Sequence, residues 1–345
     1  TITTSSGTRV ALDDPRVKLI FPSMSQWLTR GFAAACRKEG VRAEALPAMN
    51  EEDLKMGKGN TLCKECLPMQ LTTGALLRYL ETRAKEEITV YFMPTTEGPC
   101  RFGQYQVYMK NMIRERGIRD VTFMSLSTAD NYAGLGAEFV LLGWYSSVVA
   151  GCFQNIHNTM LVNAVDPAAA VARLGAVFAA VLDGMERGGR SGLRAALKRA
   201  AGELGAIPMK RPVETVPTVL LVGEIYVRTE GLARRWLPEY LADHGLATHV
   251  APVHEWIHYI NYQFDRKLGD ARGGAVDRLK NKLRWTLMIR AEKDVNNLLA
   301  ESGWHVHRVI DIKDVVKSGA RYISPRLAGE AILTVGGPVA EVGKE

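Results

Sequence analysis

The sequence predicts an α/β protein of two doubly wound halves with a helical segment between them. Three observations carry that prediction. Two distant stretches share one plan: an apolar strand, a turn, an amphipathic helix closed by glycine, and a second strand. Two further strand-like runs, Ile88–Met93 and Val121–Met124, lie in the first half. A long stretch of helical periodicity without strand signals separates the halves. A strand, a crossover helix and a parallel strand form the opening of a Rossmann-like sheet, used here twice.

The first strand is Val17–Pro22. A helical pattern from Gln26 to Glu39 follows, Gly40 ends it, and a short strand is expected near Val41–Leu46. The helical segment runs from about Glu138 to Glu203 and contains Ala168–Met185 and Leu193–Leu204. Pro208 to Pro217 is turn-prone and reads as the link into the second half. That half opens with Val219–Gly223, continues through a helical pattern at Gly231–His244, and returns as a strand at Ala247–Val250 after Gly245. The run Ile332–Pro338 predicts a last strand and a turn. The expected boundaries are 1–137, 138–210 and 211–345.

With 345 residues, 47% hydrophobic and 23% charged, the chain exceeds one typical domain and has the composition of a protein that buries real cores. No apolar stretch is read as reaching the roughly 18 residues that span a bilayer. Thr1–Gly7 lacks the charged and apolar regions of a secretory signal. Together these predict a cytoplasmic protein with no membrane span. Opening on Thr1 instead of methionine predicts a processed segment with a portion upstream. The net charge of +7 gathers partly at Arg187, Arg190, Arg194, Lys198, Arg199, Lys210 and Arg211. No aromatic side chains interleave with them to stack bases, so a solvated helix face is expected and no nucleic acid.

Five cysteines, an odd number, do not suggest a disulfide framework. In a reducing compartment, clustered cysteines are more often metal ligands or redox groups. Cys63 and Cys66 form a C-x-x-C with Pro68 just beyond, and Cys100 follows the Ile88–Met93 strand and the loop Pro94–Pro99. Loops at strand carboxyl ends converge on the crevice where α/β proteins bind ligands. Soft thiolates suit iron–sulfur clusters. The same pattern is open to half a zinc site, a dithiol or unrelated buried cysteines. No second C-x-x-C completes a zinc site, and the pair comes late for a thioredoxin-like dithiol. Gly98 and Pro99 make a tight approach to Cys100, and Gly74 is expected to leave space near the first cysteine loop. Cys36 and Cys152 are expected in the core, as are Met93, Met109, Met112 and Met124.

Glu65-Cys66-Leu67-Pro68 followed by Gly74, and Met93-Pro94-Thr95-Thr96-Glu97-Gly98-Pro99-Cys100-Arg101-Phe102-Gly103-Gln104-Tyr105, resemble the 2-hydroxyacyl-CoA dehydratase superfamily. More closely, they resemble its acyl-CoA dehydratase activase-related branch. Asp130-Asn131-Tyr132, Val222–Arg228 and Gly329-Glu330-Ala331 match that branch in order along most of the chain. The resemblance implies two Rossmann-like domains and a 4Fe–4S cubane or a double cubane. It also implies one-electron chemistry fed by an ATP-dependent iron–sulfur activase, with an acyl-CoA or other small molecule as substrate, in a homo- or hetero-oligomer. Carried over residue by residue, Cys66 and Cys100 fall on ligand positions and Cys63 is a nearby third ligand. Family members usually continue past the Gly-Glu-Ala segment to a further cysteine, which this sequence lacks: that ligand belongs to another portion or subunit, Cys63 replaces it, or no intact cluster forms. That departure favours a carrier or scaffold subunit as the rival to a catalytic reductase or dehydratase component.

Arg101 and Gln104 flank a ligand position; they are read either as donors to cluster sulfur or as caps of the helix that starts there. Glu224, Tyr226 and Arg228 stand at a strand's carboxyl end. One reading has them shaping a catalytic pocket, with Arg228 offering charge and Tyr226 a proton. The other makes them an ion pair that pins the turn. His254-Glu255-Trp256-Ile257-His258 spells H-E-x-x-H, which on a helix puts both imidazoles on one face with Glu255 as a general base. A zinc hydrolase is therefore a third reading, with Glu292 and His305 as unsupported candidates for the remaining ligand.

Overall fold

The computed structural model describes residues 1–62, 64–95, 100–125, 136–268, 274–327 and 329–342. Cys63, Gly98, Pro99 and the Asp130-Asn131-Tyr132 segment lie outside the described residues. The chain is α/β, with parallel strand pairing in both of its compact units. One unit comprises 1–143 with 229–235, the other 144–228 with 236–345.

In the first unit, β1 (Ile2–Thr3) and β2 (Arg9–Val10) pair antiparallel, ahead of β3 (Val17–Phe21), α1 (Leu28–Lys38) and β4 (Ala43–Ala45). Next come α2 (Glu51–Gly59), α3 (Leu67–Thr82), β5 (Ile88–Phe92), a 3₁₀ turn at Arg101–Gln104, α4 (Tyr105–Glu115) and β6 (Val121–Met124). The sheet order is β4-β3-β5-β6, all parallel, with Leu19 opposite Ala43, Val17 opposite Ile88 and Thr89 opposite Val121. Every residue of β5 is buried, as expected of a central parallel strand covered on both faces. The chain builds to one side of β3 and then to the other. The strand order thus reverses between β3 and β5, where crevices form at the carboxyl ends.

Helix α2 begins with a reciprocal cap: Asn50 Oδ1 accepts from the Asp53 amide at 3.1 Å, and Asp53 Oδ2 accepts from the Asn50 amide at 2.9 Å. Its packing on α3 corrects the expectation for Gly74. A Cβ there would sit 1.8 Å from the Asp53 carbonyl oxygen, and one on Gly57 would sit 1.8 Å from that of Gln70. The two glycines let the helix backbones touch; Gly74 does not serve the cysteine loop. Residues 229–235 belong to this unit through Glu230, whose buried carboxylate accepts from the Met49 amide at 3.1 Å, and Thr229, which donates to the Met24 carbonyl at 2.7 Å.

The second unit takes most of α5 (Gly136–Asn163), then α6 (Pro167–Gly205), β7 (Thr218–Leu221), α7 (Ile225–Thr229) and α8 (Leu237–Asp243). It continues through β8 (Ala247–Val250), α9 (His254–Arg266), α10 (Ala275–Ala300), α11 (Ile312–Gly319) and α12 (Ala331–Val342). Strands β7 and β8 pair parallel, Thr218 opposite Ala247. Helix α6 is not straight. Arg173 reaches Glu203 at 2.7 Å, although 30 residues of α-helix would span about 45 Å. The reversal is at Gly189, whose φ of 55° suits a residue without a Cβ. Two arms pack back to back, so close that a Cβ on Gly192 would meet the Gly184 carbonyl at 2.1 Å.

Two sequence expectations change here. Ile332–Pro338 forms α12, not a strand: short apolar runs do not declare their period, and small residues at 319 and 336 favour helix pairing. A Cβ on Gly336 would stand 2.0 Å from the Val315 carbonyl, so α12 lies directly on α11. The helical pattern expected at Gly231–His244 is shortened to α8, because Arg235 and Trp236 take positive φ just before it. By length and composition alone α5 and α6 could each cross a bilayer, which revises the earlier reading; more than half of the apolar window of α5 is buried in the protein. Cys36, Cys152 and the four methionines are core residues. The basic residues of α6 face solvent, Arg187 pairing with Asp183 and Arg194 with Asp294.

Candidate functional site

Two groups of side chains carry chemistry, one in each unit. In the first unit Cys66 immediately precedes α3, with Pro68 in the first turn, and Cys100 immediately precedes the 3₁₀ turn that leads into α4. Cys100 leaves the carboxyl side of β5, one of the strands flanking the reversal in sheet order.

The segment that starts at Cys100 clasps the Cys66 loop. Arg101 Nη1 donates to the Lys64 carbonyl at 3.2 Å, the Tyr108 hydroxyl donates to the Asn60 carbonyl at 2.5 Å, and Arg116 Nη2 donates to Asn60 Oδ1. The Tyr105 hydroxyl is in hydrogen-bond contact with Cys66 Sγ. Gln104, in contrast, is exposed and makes no side-chain cap to α4. In the same loop, Thr61 Oγ1 and Glu65 Oε2 are buried without partners among the described residues. Among the described residues, Cys66 and Cys100 are the thiols that solvent reaches. Cys36 is buried in the core, and burial pushes its thiol up to about 12; burial likewise raises the thiol of Cys152. Soft sulfur is the donor type that an iron–sulfur group takes, and Cys63 lies outside the described residues. Two described thiols are fewer than the four ligands a cubane takes, and among the described residues no three His, Cys, Asp or Glu side chains are grouped to hold a metal.

In the second unit the H-E-x-x-H stretch opens α9, so His254 and His258 do share one face. Both meet Glu292 of α10, which is fully buried. His258 Nε2 lies 2.8 Å from one carboxylate oxygen, and His254 Nε2 lies 3.6 Å from the other. This is the carboxylate a zinc peptidase would use as its third ligand, but its hydrogen bonds are closed. The Trp285 indole N–H donates to His258 Nδ1 at 2.8 Å. An indole only donates, so the ring proton of a neutral His258 sits on Nε2 and is given to Glu292. A metal at Nε2 would displace that proton with nowhere on the ring for it to go. His254 Nδ1 donates to the Ser147 carbonyl at 3.3 Å, and Trp144 stands edge-on to both imidazoles. Burial alone would raise the Glu292 carboxyl; hydrogen bonds from the two imidazoles outweigh it and hold the group at about 2. Glu255, the would-be base, turns instead toward Arg228, 3.8 Å away, and burial raises its carboxyl.

Glu224, Tyr226 and Arg228 belong to this unit, and Cys66, Cys100, Arg101 and Gln104 to the other. Glu224 caps α7, its carboxylate accepting from the Val227 amide at 2.7 Å. Arg228 is buried and donates to the carbonyls of Gly223 at 2.5 Å and Pro252 at 3.4 Å, which pins the β7–α7 turn. Burial raises Glu330 to about 7, with Arg228 opposing and Glu224 reinforcing the shift. A cavity of about 90 Å³ opens at the carboxyl ends of β7 and β8. It is lined by His254, Glu255, Asn296, His305, Arg308 and Asp314 among others, and by none of Glu224, Tyr226 and Arg228. His305 is held at about 4 by burial and pairs with Asn296 at 2.8 Å.

Two roles escaped the sequence. Tyr105 stood in the motif block with no task assigned, and its approach to Cys66 depends on how α3 and α4 pack. Glu292 is a candidate third zinc ligand in the sequence, but its role as acceptor for the two imidazoles is not foreseen there; its seven-residue spacing from Trp285, which places both on one face of α10, is the available signal. Comparison with family models, curated proteins and solved structures finds no match.

Proposed function

We propose that this chain is an iron–sulfur electron-transfer protein of the 2-hydroxyacyl-CoA dehydratase type. It would take low-potential electrons from an ATP-dependent partner and pass them to an acyl-CoA or another small substrate. The observation that carries the reading is the clasp: four side chains from the segment beginning at Cys100 hold the loop of Cys66. Cys66, Cys100 and Cys63 would hold the group, with a fourth ligand from elsewhere. A bound 4Fe–4S cluster would supply one-electron chemistry. Arg101 positions the Cys66 loop. The parallel four-stranded sheet and the β7–β8 pair support two Rossmann-like halves. The free thiols suit a reducing, cytoplasmic setting.

The test is iron, acid-labile sulfide and zinc determination on anaerobically purified protein. Brown protein with iron and sulfide in equal amounts is expected, with both lost in Cys66→Ser and Cys100→Ser and retained in His254→Ala. Colourless protein with stoichiometric zinc that disappears in His254→Ala would overturn the reading in favour of a zinc site. If the cluster is present but no acyl-CoA perturbs its spin-resonance signal, the chain is a carrier subunit and not a catalytic one.

A further inference from the structure

The cavity at the carboxyl ends of β7 and β8 is built entirely from the second unit. Crevices at that end of a parallel sheet are where α/β proteins bind ligands. This one has room for about six to nine water-sized groups. Leu220, Val222 and Val315 give it an apolar wall, and His249, His305 and Arg308 also line it. Asn296 fixes two of these: its Oδ1 accepts from His305 Nε2 at 2.8 Å and from the Arg308 amide at 3.4 Å. The ring proton of neutral His305 is therefore committed. The Arg308 guanidinium, in contrast, makes no hydrogen bond among the described residues, and Glu341 stands off at 3.7 Å. The ring of His249, on β8, makes none among them either. Burial first and the charge of Arg308 second hold that ring at about 3, so it is neutral and offers one N–H. Among the carboxylates of the lining, Asp311 caps α11 and Glu255 faces Arg228. None of the lining carboxylates is among the charges that act on His249 or His305.

We infer that this cavity binds a small monocarboxylate, with Arg308 and the His249 N–H holding its anionic end and Leu220, Val222 and Val315 its short apolar body. A guanidinium with open N–H groups is the side chain best shaped to take a carboxylate. One cation beside neutral imidazoles matches a single negative charge. A dianion would bring charge that nothing beside Arg308 answers, and burying it would be costly. The apolar wall favours a ligand with a hydrocarbon end over an ion that is polar all round. The site is separate from the cysteine loops and binds with or without iron.

The test is isothermal titration of the full chain at neutral pH with butyrate, inorganic phosphate and butylamine. These compare a carboxylate, an oxyanion without an apolar body and a cation of similar size. Butyrate is expected to bind in the millimolar range or tighter, and more tightly than the other two. Arg308→Gln, at an exposed position, should weaken it at least about tenfold, and His249→Phe, which keeps a ring, by roughly threefold to tenfold. The wild-type ranking of the three probes decides the matter even where a variant fails to fold. Phosphate binding as tightly as butyrate, or butylamine binding more tightly, would overturn the inference. So would no butyrate binding in the high millimolar range, or undiminished binding by folded Arg308→Gln. None of these failures touches the iron–sulfur reading, which is decided by iron and sulfide content.

Discussion

The cysteine loops of the first unit and the imidazole–carboxylate network of the second are opposites. The second spells H-E-x-x-H and brings one carboxylate to the place of a third ligand, yet each ring nitrogen of His254 and His258 faces a protein atom, and Glu292 is fully buried. The first spells a weaker motif, and it keeps Cys66 and Cys100 at the starts of helical segments with unpartnered polar atoms in the same loop. A motif names residue types; whether it can take a ligand depends on what else already satisfies those atoms. Buried polar groups without partners cost free energy, so a closed network resists a metal and an open one invites it.

The comparison breaks most sharply at Glu292. Glu292→Ala leaves the buried imidazoles without their acceptor and should cost about 1–3 kcal/mol in urea unfolding, while the iron content of the protein that remains folded stays unchanged. A small cost, or a loss of iron, would mean that the network is not the structural device described here. Gly74→Ala forces a Cβ against the Asp53 carbonyl and should cost about 1–3 kcal/mol, read from the same unfolding curves.

Two carboxyls of the second unit, buried Glu292 and half-buried Glu330, predict opposite pH slopes. Glu292 is depressed to about 2 from an ordinary 4.5, so its contribution is present above about pH 4.5 and is lost as pH falls toward about 2. Glu330 is raised to about 7, so the folded state binds its proton more tightly than the unfolded one. Its contribution is complete below about pH 4.5 and is lost as pH rises through 7. Glu330→Gln should therefore flatten the decline in unfolding midpoint between about pH 5 and about pH 8, and an unaltered decline would show that another group sets it. The smallest effect belongs to Arg101→Ala. Loss of one exposed hydrogen bond should cost less than about 1 kcal/mol of stability. It should nonetheless speed the release of iron to a chelator, since the Cys66 loop loses a tether.

The strands were the most legible part of the fold. Val17–Phe21, Ile88–Phe92, Val121–Met124 and Ala247–Val250 all stand where their apolar, β-branched runs placed them, because buried parallel strands must be apolar on both faces. Helix α12 was misread because Ile332–Pro338 is too short and too uniformly apolar to show a period, and what makes it helical is the backbone approach at Gly336. At the candidate site, the motifs named Cys66 and Cys100, which the structure places at the starts of helical segments. The clasp was not legible, since Tyr108 and Arg116 meet Asn60 only through tertiary packing. H-E-x-x-H was legible as a helical pair of histidines, and the indole that assigns its proton was not.

Residues 229–235 complete the first unit although most of the second unit's long helices precede them in the chain. On a ribosome, domains tend to fold in order of emergence, at about 5–20 residues per second. The Met49 amide therefore waits for Glu230 through the synthesis of α5 and α6, several seconds to tens of seconds at that pace. The cysteine loops emerge early in that interval, on a unit still missing its last piece. Until residue 235 has emerged, Cys66 and Cys100 thus stand on a unit whose Met49 amide still lacks the carboxylate it is built to meet.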